Sequence, residues 1–182
     1  MMGHVMNLFT QFIEEQAGPE VRRKVLSAAG LDHGEFRFEE VYPEEQFTQL
    51  VVATLETLEL EVPELELRFA ESFMAASPRI FPAIFELSGD AHTLLSRIPH
   101  IHRSIPSAAS HSAFRDKLTV AEDEENRLLF RYDSPHKLCG LLKHLSSLTL
   151  AHYGETGEIH ELQCARDGED ACLIEITFTG TE

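Results

Sequence analysis

Apolar residues recur at helical spacing through the first hundred positions. Val5, Leu8, Phe9, Phe12 and Ile13 form one stripe, which Gly18-Pro19 interrupts. Pro19 opens a second helix with Val21, Val25, Leu26 and Ala29 inward and Gly30 at its end. Leu31 to Glu40 carry no period and read as an irregular connector. Pro43 opens a helix bearing Phe47, Leu50, Val51, Leu55 and Leu58, and Pro63 opens another bearing Leu65, Phe69, Phe73 and Met74. Ser77-Pro78 precedes a short helix with Ile80, Phe81, Ile84 and Phe85. Ser88-Gly89-Asp90 then leads into Leu94, Leu95, Ile98, Ile101 and His102, where Pro99 predicts a kink or a new turn.

The pattern changes near Ser107. Pro106 to Ser112 is small and polar, a hinge between two halves. Lys117 to Val120 and Arg127 to Tyr132 read as strands around a charged turn. Leu138, Leu141, Leu142, Leu145 and Leu148 return to helical spacing. His160 to Cys164 and Cys172 to Phe178 are two more strands around a turn at Asp167-Gly168. The expectation is one α+β domain over residues 1–182: a mainly helical half, 1–106, and a half, 107–182, with a four-stranded antiparallel sheet and a helix packed on it.

Composition narrows the function. A length of 182 residues supports a sizeable core, and 43% hydrophobic residues is ordinary for a soluble globule. The net charge of −16 opposes binding to nucleic acid or to an anionic membrane surface. No basic segment followed by an apolar run marks a signal peptide, and no run reaches the ~20 residues of a membrane span. Three cysteines fit a reducing, cytoplasmic compartment better than a disulfide framework.

Two clusters carry candidate chemistry. Tyr132, Ser134 and the amides after Ser134-Pro135 make either a helix start with a capping hydroxyl or a polar site for an anion. Cys164 and Cys172 come together if the last two strands form a hairpin, and three thiolates, with Cys139 as the third, plus one imidazole are a normal tetrahedral zinc set. His160 shares strand parity with Cys164, and a bulge would exchange it for Glu161. The alternative is that the cysteines are small buried hydrophobes.

The spelling Tyr132-x-Ser134-x-His136 resembles the Tyr-x-Ser-x-Arg motif of the H-NOX family, the haem nitric oxide/oxygen binding domains, with His136 where the family has arginine. Arginine offers a carboxylate a fixed fork and a permanent charge, and histidine offers less of both. The opening Met1 to Asn7 is similar to the family's N-terminus. The resemblance implies haem b held by Tyr132, Ser134 and His136 at its propionates. It implies a proximal histidine thirty positions before Tyr132, which is His102. It also implies a haem lining from Val5, Phe9, Phe73 or Met74, and Leu141. Oxygen-binding members carry a tyrosine near the Leu141 position. Some bacterial members resemble the chain further, with zinc on cysteines at these places and a histidine three residues before the second, the slot of Glu161.

The function implied is a haem-based nitric oxide sensor that regulates a signalling partner such as a histidine kinase or a cyclic-dinucleotide enzyme. The alternative is a zinc/thiol redox sensor with weakened or lost haem binding. An enzyme is not expected: the chain shows no nucleophile–base motif, phosphate loop or paired acids on one face.

Overall fold

A computed structural model of the chain describes residues 1–32, 34–104 and 117–181. The backbone divides into two compact units, Met1–Phe73 and Met74–Glu182. The small polar stretch 106–112 lies outside the described residues.

In the first unit, α1 (Gly3–Ala28) breaks at Gly18, where φ is 86° and ψ 169°, and Pro19 restarts the helix. This is the interruption that Gly18-Pro19 predicts: only glycine adopts that conformation without strain, and proline suits a first helical turn. The helix closes with Leu31 N–H donating to the Leu26 carbonyl (2.8 Å) and Gly30 N–H to Ser27 (3.0 Å), Gly30 lying at φ 69°.

The connector after α1 is irregular because it is spent on the helix start. Gly3 N–H donates to the Glu40 carbonyl (2.8 Å), His4 N–H to Phe38 (3.1 Å) and the Asn7 side-chain amide to Phe36 (2.7 Å). Amides at a helix N-terminus have no partners within the helix, so a returning strap of carbonyls satisfies them. Helix α2 (Glu44–Leu58) follows Pro43, has Glu44 and Glu45 in its first turn, and stops at Glu59 in the left-handed region. The core of the unit is aromatic: Phe9 lies edge-on to Phe47 and Phe69, at centroid distances of 5.4 and 4.8 Å, and all three are buried.

Helix α3 (Val62–Ile80) runs through Pro78, and α4 (Pro82–Ser88) begins at Pro82. The expected boundary at Ser77-Pro78 is therefore four residues early. Pro82 is the better helix start, because it sits at a first-turn position that needs no N–H. Helix α5 (Ala91–Ser104) is started by the Asp90 carboxylate, which accepts from Thr93 N–H at 2.6 Å, and it continues through Pro99.

The second unit holds the sheet. Strands β1 (Leu118–Glu124), β2 (Arg127–Tyr132), β3 (Glu155–Gln163) and β4 (Cys172–Thr181) are antiparallel in the order β1-β2-β4-β3. Helix α6 (Cys139–His152) packs on β3 and β4. Leu128, Phe130, Ile174 and Ile176 face a core shared with Leu95 of α5 and with Cys139 and Cys172. The architecture is the α+β arrangement that the two hydrophobic periods predict.

Candidate haem and metal sites

Helix α5 presents one apolar stripe. Leu94 and Leu95 are buried, Ile98, Ile101 and His102 are half-buried, and His100 is exposed. His102 follows Ile98 by four positions and so shares its face, while His100 points elsewhere. An imidazole bordered by apolar side chains is the donor that a haem iron takes.

Tyr132 ends β2. Its phenol is pushed up to about 12 by burial, partly offset by hydrogen bonding with Ser134 and with the Leu138 backbone. Ser134 does not start a helix. It opens a turn in which Lys137 N–H donates to the Ser134 carbonyl (3.0 Å), and α6 begins only at Cys139, with no side-chain cap. Lys137 lies at φ 50°, outside helical space, which separates the turn from α6. Pro135 is thus the second residue of a turn rather than the first of a helix, another place where its fixed φ fits. The Ser134 hydroxyl accepts from His136 N–H at 3.4 Å, and the His136 side chain is half-buried. A phenol, a hydroxyl and an imidazole therefore sit within five consecutive positions, a donor set that suits carboxylates such as haem propionates.

The remaining expected haem contacts differ in exposure. Val5 and Phe73 are half-buried in the first unit, as is Leu141 on α6 in the second. Phe9 is only 1% exposed and fully engaged by the rings around it. Each of the three tyrosines has a hydrogen-bond partner of its own. Tyr42 accepts from Arg37 N–H (2.9 Å), Tyr153 donates to the Phe85 carbonyl (2.7 Å), and Tyr132 is held as described.

The cysteines meet at the start of α6. Cys139 is the first residue of that helix, Cys172 the first of β4, and Cys164 follows β3. The Cys139 and Cys164 sulfurs are 3.7 Å apart, and Ala165 N–H lies 3.3 Å from the Cys172 sulfur. One ligand atom each from Cys139, Glu161, Cys164 and Cys172 falls within 4.8 Å of every other. With Zn–S near ~2.3 Å, sulfurs on a tetrahedral ion stand ~3.8 Å apart, so the observed spacing fits zinc.

His160 lies outside this group. Glu161 pairs with Ile174, but Gln163 pairs with Leu173, so Leu162 is an extra residue in β3. A bulge reverses side-chain parity beyond it. Cys164 consequently shares a face with Glu161 and the buried Ile174, not with His160. His160 is exposed and opposite Glu175, with its Nε2 3.2 Å from the Glu158 carboxylate. Simple alternation along the strand would turn the imidazole toward the cysteines, and the one inserted residue turns the carboxylate there instead.

Basic residues bind the cluster together. Lys143 donates to Glu161 at 2.7 Å, Lys137 Nζ to the Ala165 carbonyl at 2.9 Å, and Arg166 Nε to the Lys137 carbonyl at 2.8 Å. Burial and a hydrogen bond with Cys172 push the Cys139 thiol up, against the opposing charge of Arg166. Burial also pushes Cys164 up. For Glu161, burial acts upward but is outweighed by the hydrogen bond and charge of Lys143, so its carboxyl lies below the usual range.

A sequence model of the family described as Haem-NO-binding matches residues 2–161. No curated protein matches the chain. Among solved structures, an H-NOX protein from K. algicida in the Fe(II) unliganded state is 21% identical, with a TM-score of 0.77, covering 100% of this chain and 98% of its own. An H-NOX protein from S. oneidensis in the Fe(II)NO ligation state is 17% identical, with a TM-score of 0.77, covering 99% and 100%. An oxygen-binding H-NOX domain related to soluble guanylate cyclases is 14% identical, with a TM-score of 0.78, covering 100% and 96%.

Proposed function

The chain belongs to the Haem-NO-binding family of H-NOX domains, and on that premise we propose that it is a haem b-based nitric oxide sensor that regulates a signalling partner. Haem supplies an iron that binds diatomic gases. His102 ligates that iron, while Tyr132, Ser134 and His136 hold the propionates. Leu141 on α6, in the same unit, lines the ring. The observation that carries this reading is His102 on the half-buried apolar stripe of α5, in the same unit as the Tyr132–Ser134 pair.

The preference for nitric oxide over oxygen rests on Leu141. Bound dioxygen carries partial negative charge and gains from a donor, whereas nitric oxide needs none. The residue at this position is apolar, and the chain's three phenols are engaged elsewhere. Movement at His102 is transmitted by α5, whose Leu95 is anchored in the sheet core. The partner is a signalling protein such as a histidine kinase or a cyclic-dinucleotide enzyme, and the domain itself is non-catalytic. No described helix is long and apolar enough to cross a membrane. Free cysteines are consistent with a cytoplasmic setting.

An absorption spectrum of protein reconstituted with haem tests this. Wild type is expected to give a Soret band and a five-coordinate nitrosyl spectrum, with no stable oxygen complex in air. His102→Gly is expected to lose the band unless imidazole is added. A band unchanged in His102→Gly without imidazole rules out this ligand, and a long-lived oxygen complex rules out the selectivity.

The cysteine cluster supports a second component, a zinc ion on Cys139, Cys164 and Cys172. A redox-sensing role follows from the same chemistry, because oxidation of a thiolate removes a ligand. Elemental analysis is expected to find about one zinc per chain, the stoichiometry of a single tetrahedral site. Cys172→Ser or peroxide is expected to remove it. Reduced, zinc-supplied wild type that holds none ends this reading and leaves the haem reading intact.

A further inference from the structure

We propose that the fourth ligand of the zinc centre is the Glu161 carboxylate and that Lys143 positions and charge-balances it, the pair taking the place of a neutral imidazole. This rests on the zinc reading above.

Three features of the fold converge on the pair. Cys139 and Lys143 are four positions apart on α6, so both project from one face toward β3. The extra residue Leu162 turns Glu161 and Cys164 to that same side. Lys143 donates to the Glu161 carboxylate at 2.7 Å while that carboxylate already lies within 4.8 Å of all three sulfurs. The hydrogen bond and the ligand geometry therefore coexist. A carboxylate has about four lone-pair sites, so one bond to an ammonium leaves capacity for a metal ion.

Charge explains why the lysine is needed. A divalent ion with three thiolates carries one negative charge. A neutral imidazole leaves it there, and a carboxylate adds another, beside residues as buried as Cys139 (2% exposed) and Cys172 (0%). The Lys143 ammonium cancels the addition. Its bond also fixes the carboxylate's orientation, as outer-shell partners of metal ligands do. Lys143 touches the ligand and not the ion, so it is a positioning residue.

The test is zinc titration of the reduced, metal-free full chain in competition with a chromophoric chelator, with Co2+ as the spectroscopic probe. Glu161→Gln and Lys143→Gln are each expected to weaken zinc binding by roughly 10–100-fold, the usual effect of losing such groups. Lys143→Arg is expected to restore most of it, and His160→Ala to change nothing. Glu161→His is expected to shift the Co2+ absorption bands, because nitrogen replaces oxygen, and to make Lys143→Gln nearly neutral. Thermal melts of the metal-free forms separate a ligand effect from a folding defect. Wild-type affinity in Lys143→Gln, unshifted Co2+ bands in Glu161→His, or loss of zinc in His160→Ala overturns the proposal. Uptake that ignores Glu161 and Lys143 but vanishes in Cys172→Ser overturns this proposal alone. A wild type that binds neither metal overturns the zinc reading with it.

Discussion

Gly3 faces the Arg37 carbonyl so closely that a Cβ at position 3 would lie inside van der Waals contact with that oxygen. The closeness has a cause in the backbone. Gly3 N–H and His4 N–H both donate to the strap that contains Arg37, and the two segments are drawn together by those bonds.

Gly3→Ala is therefore expected to destabilise the chain. The obstacle is backbone, which cannot rotate away like a flexible side chain. Either the strap retreats and helix-start amides lose partners, or the overpacking remains. Each route costs about 1–3 kcal/mol. Urea denaturation of the variant beside wild type measures the loss; a midpoint equal to wild type shows that the strap yields freely.

His4 predicts an acid sensitivity. Burial lowers its pKa from 6.5, although its hydrogen bond to the Phe38 backbone acts the other way. The unfolded chain then binds the proton more readily than the folded one, so stability rises with pH. Stability is full above the unfolded value of 6.5 and is lost as pH falls below it toward the depressed folded value. Melting temperature is expected to drop between pH 7.5 and 5, and part of that drop should vanish in His4→Gln. Identical pH profiles in the two proteins contradict the assignment.

His136→Arg is expected to tighten haem retention. A guanidinium brings a permanent charge and two parallel donors to a propionate, where imidazole brings fewer. The measurement is the rate of haem transfer to an apoglobin acceptor, expected to slow by about tenfold, the equivalent of ~1.4 kcal/mol in barrier. Faster transfer in the variant would show that the His136 ring packs in a way a guanidinium cannot reproduce.

Much of this protein is legible in its sequence. The helical stripes from Val5 to Ile101 and the alternation in β2 and β4 follow from local periodicity, because each element must bury one face. Gly18-Pro19 marks its own break, since glycine's freedom at positive φ and proline's fit to a first helical turn are local preferences. The Tyr132/Ser134 spelling and the triple of cysteines also stand in the one-dimensional record.

What the sequence leaves open is settled by contacts between distant segments. Ser134-Pro135 reads as a helix start, yet the chain turns there and the helix begins only at Cys139. The choice goes to the turn, because Lys137 adopts a non-helical φ while its own side chain and carbonyl bond to Ala165 and Arg166, nearly thirty residues on. The strap over Gly3 carries no period, because it satisfies another segment's amides. Which of His160 and Glu161 faces the cysteines turns on one residue left out of the pairing, Leu162. Strand parity is a local rule, but where a bulge falls depends on the partner strand, and only the pairing of β3 with β4 places Glu161 beside three cysteines.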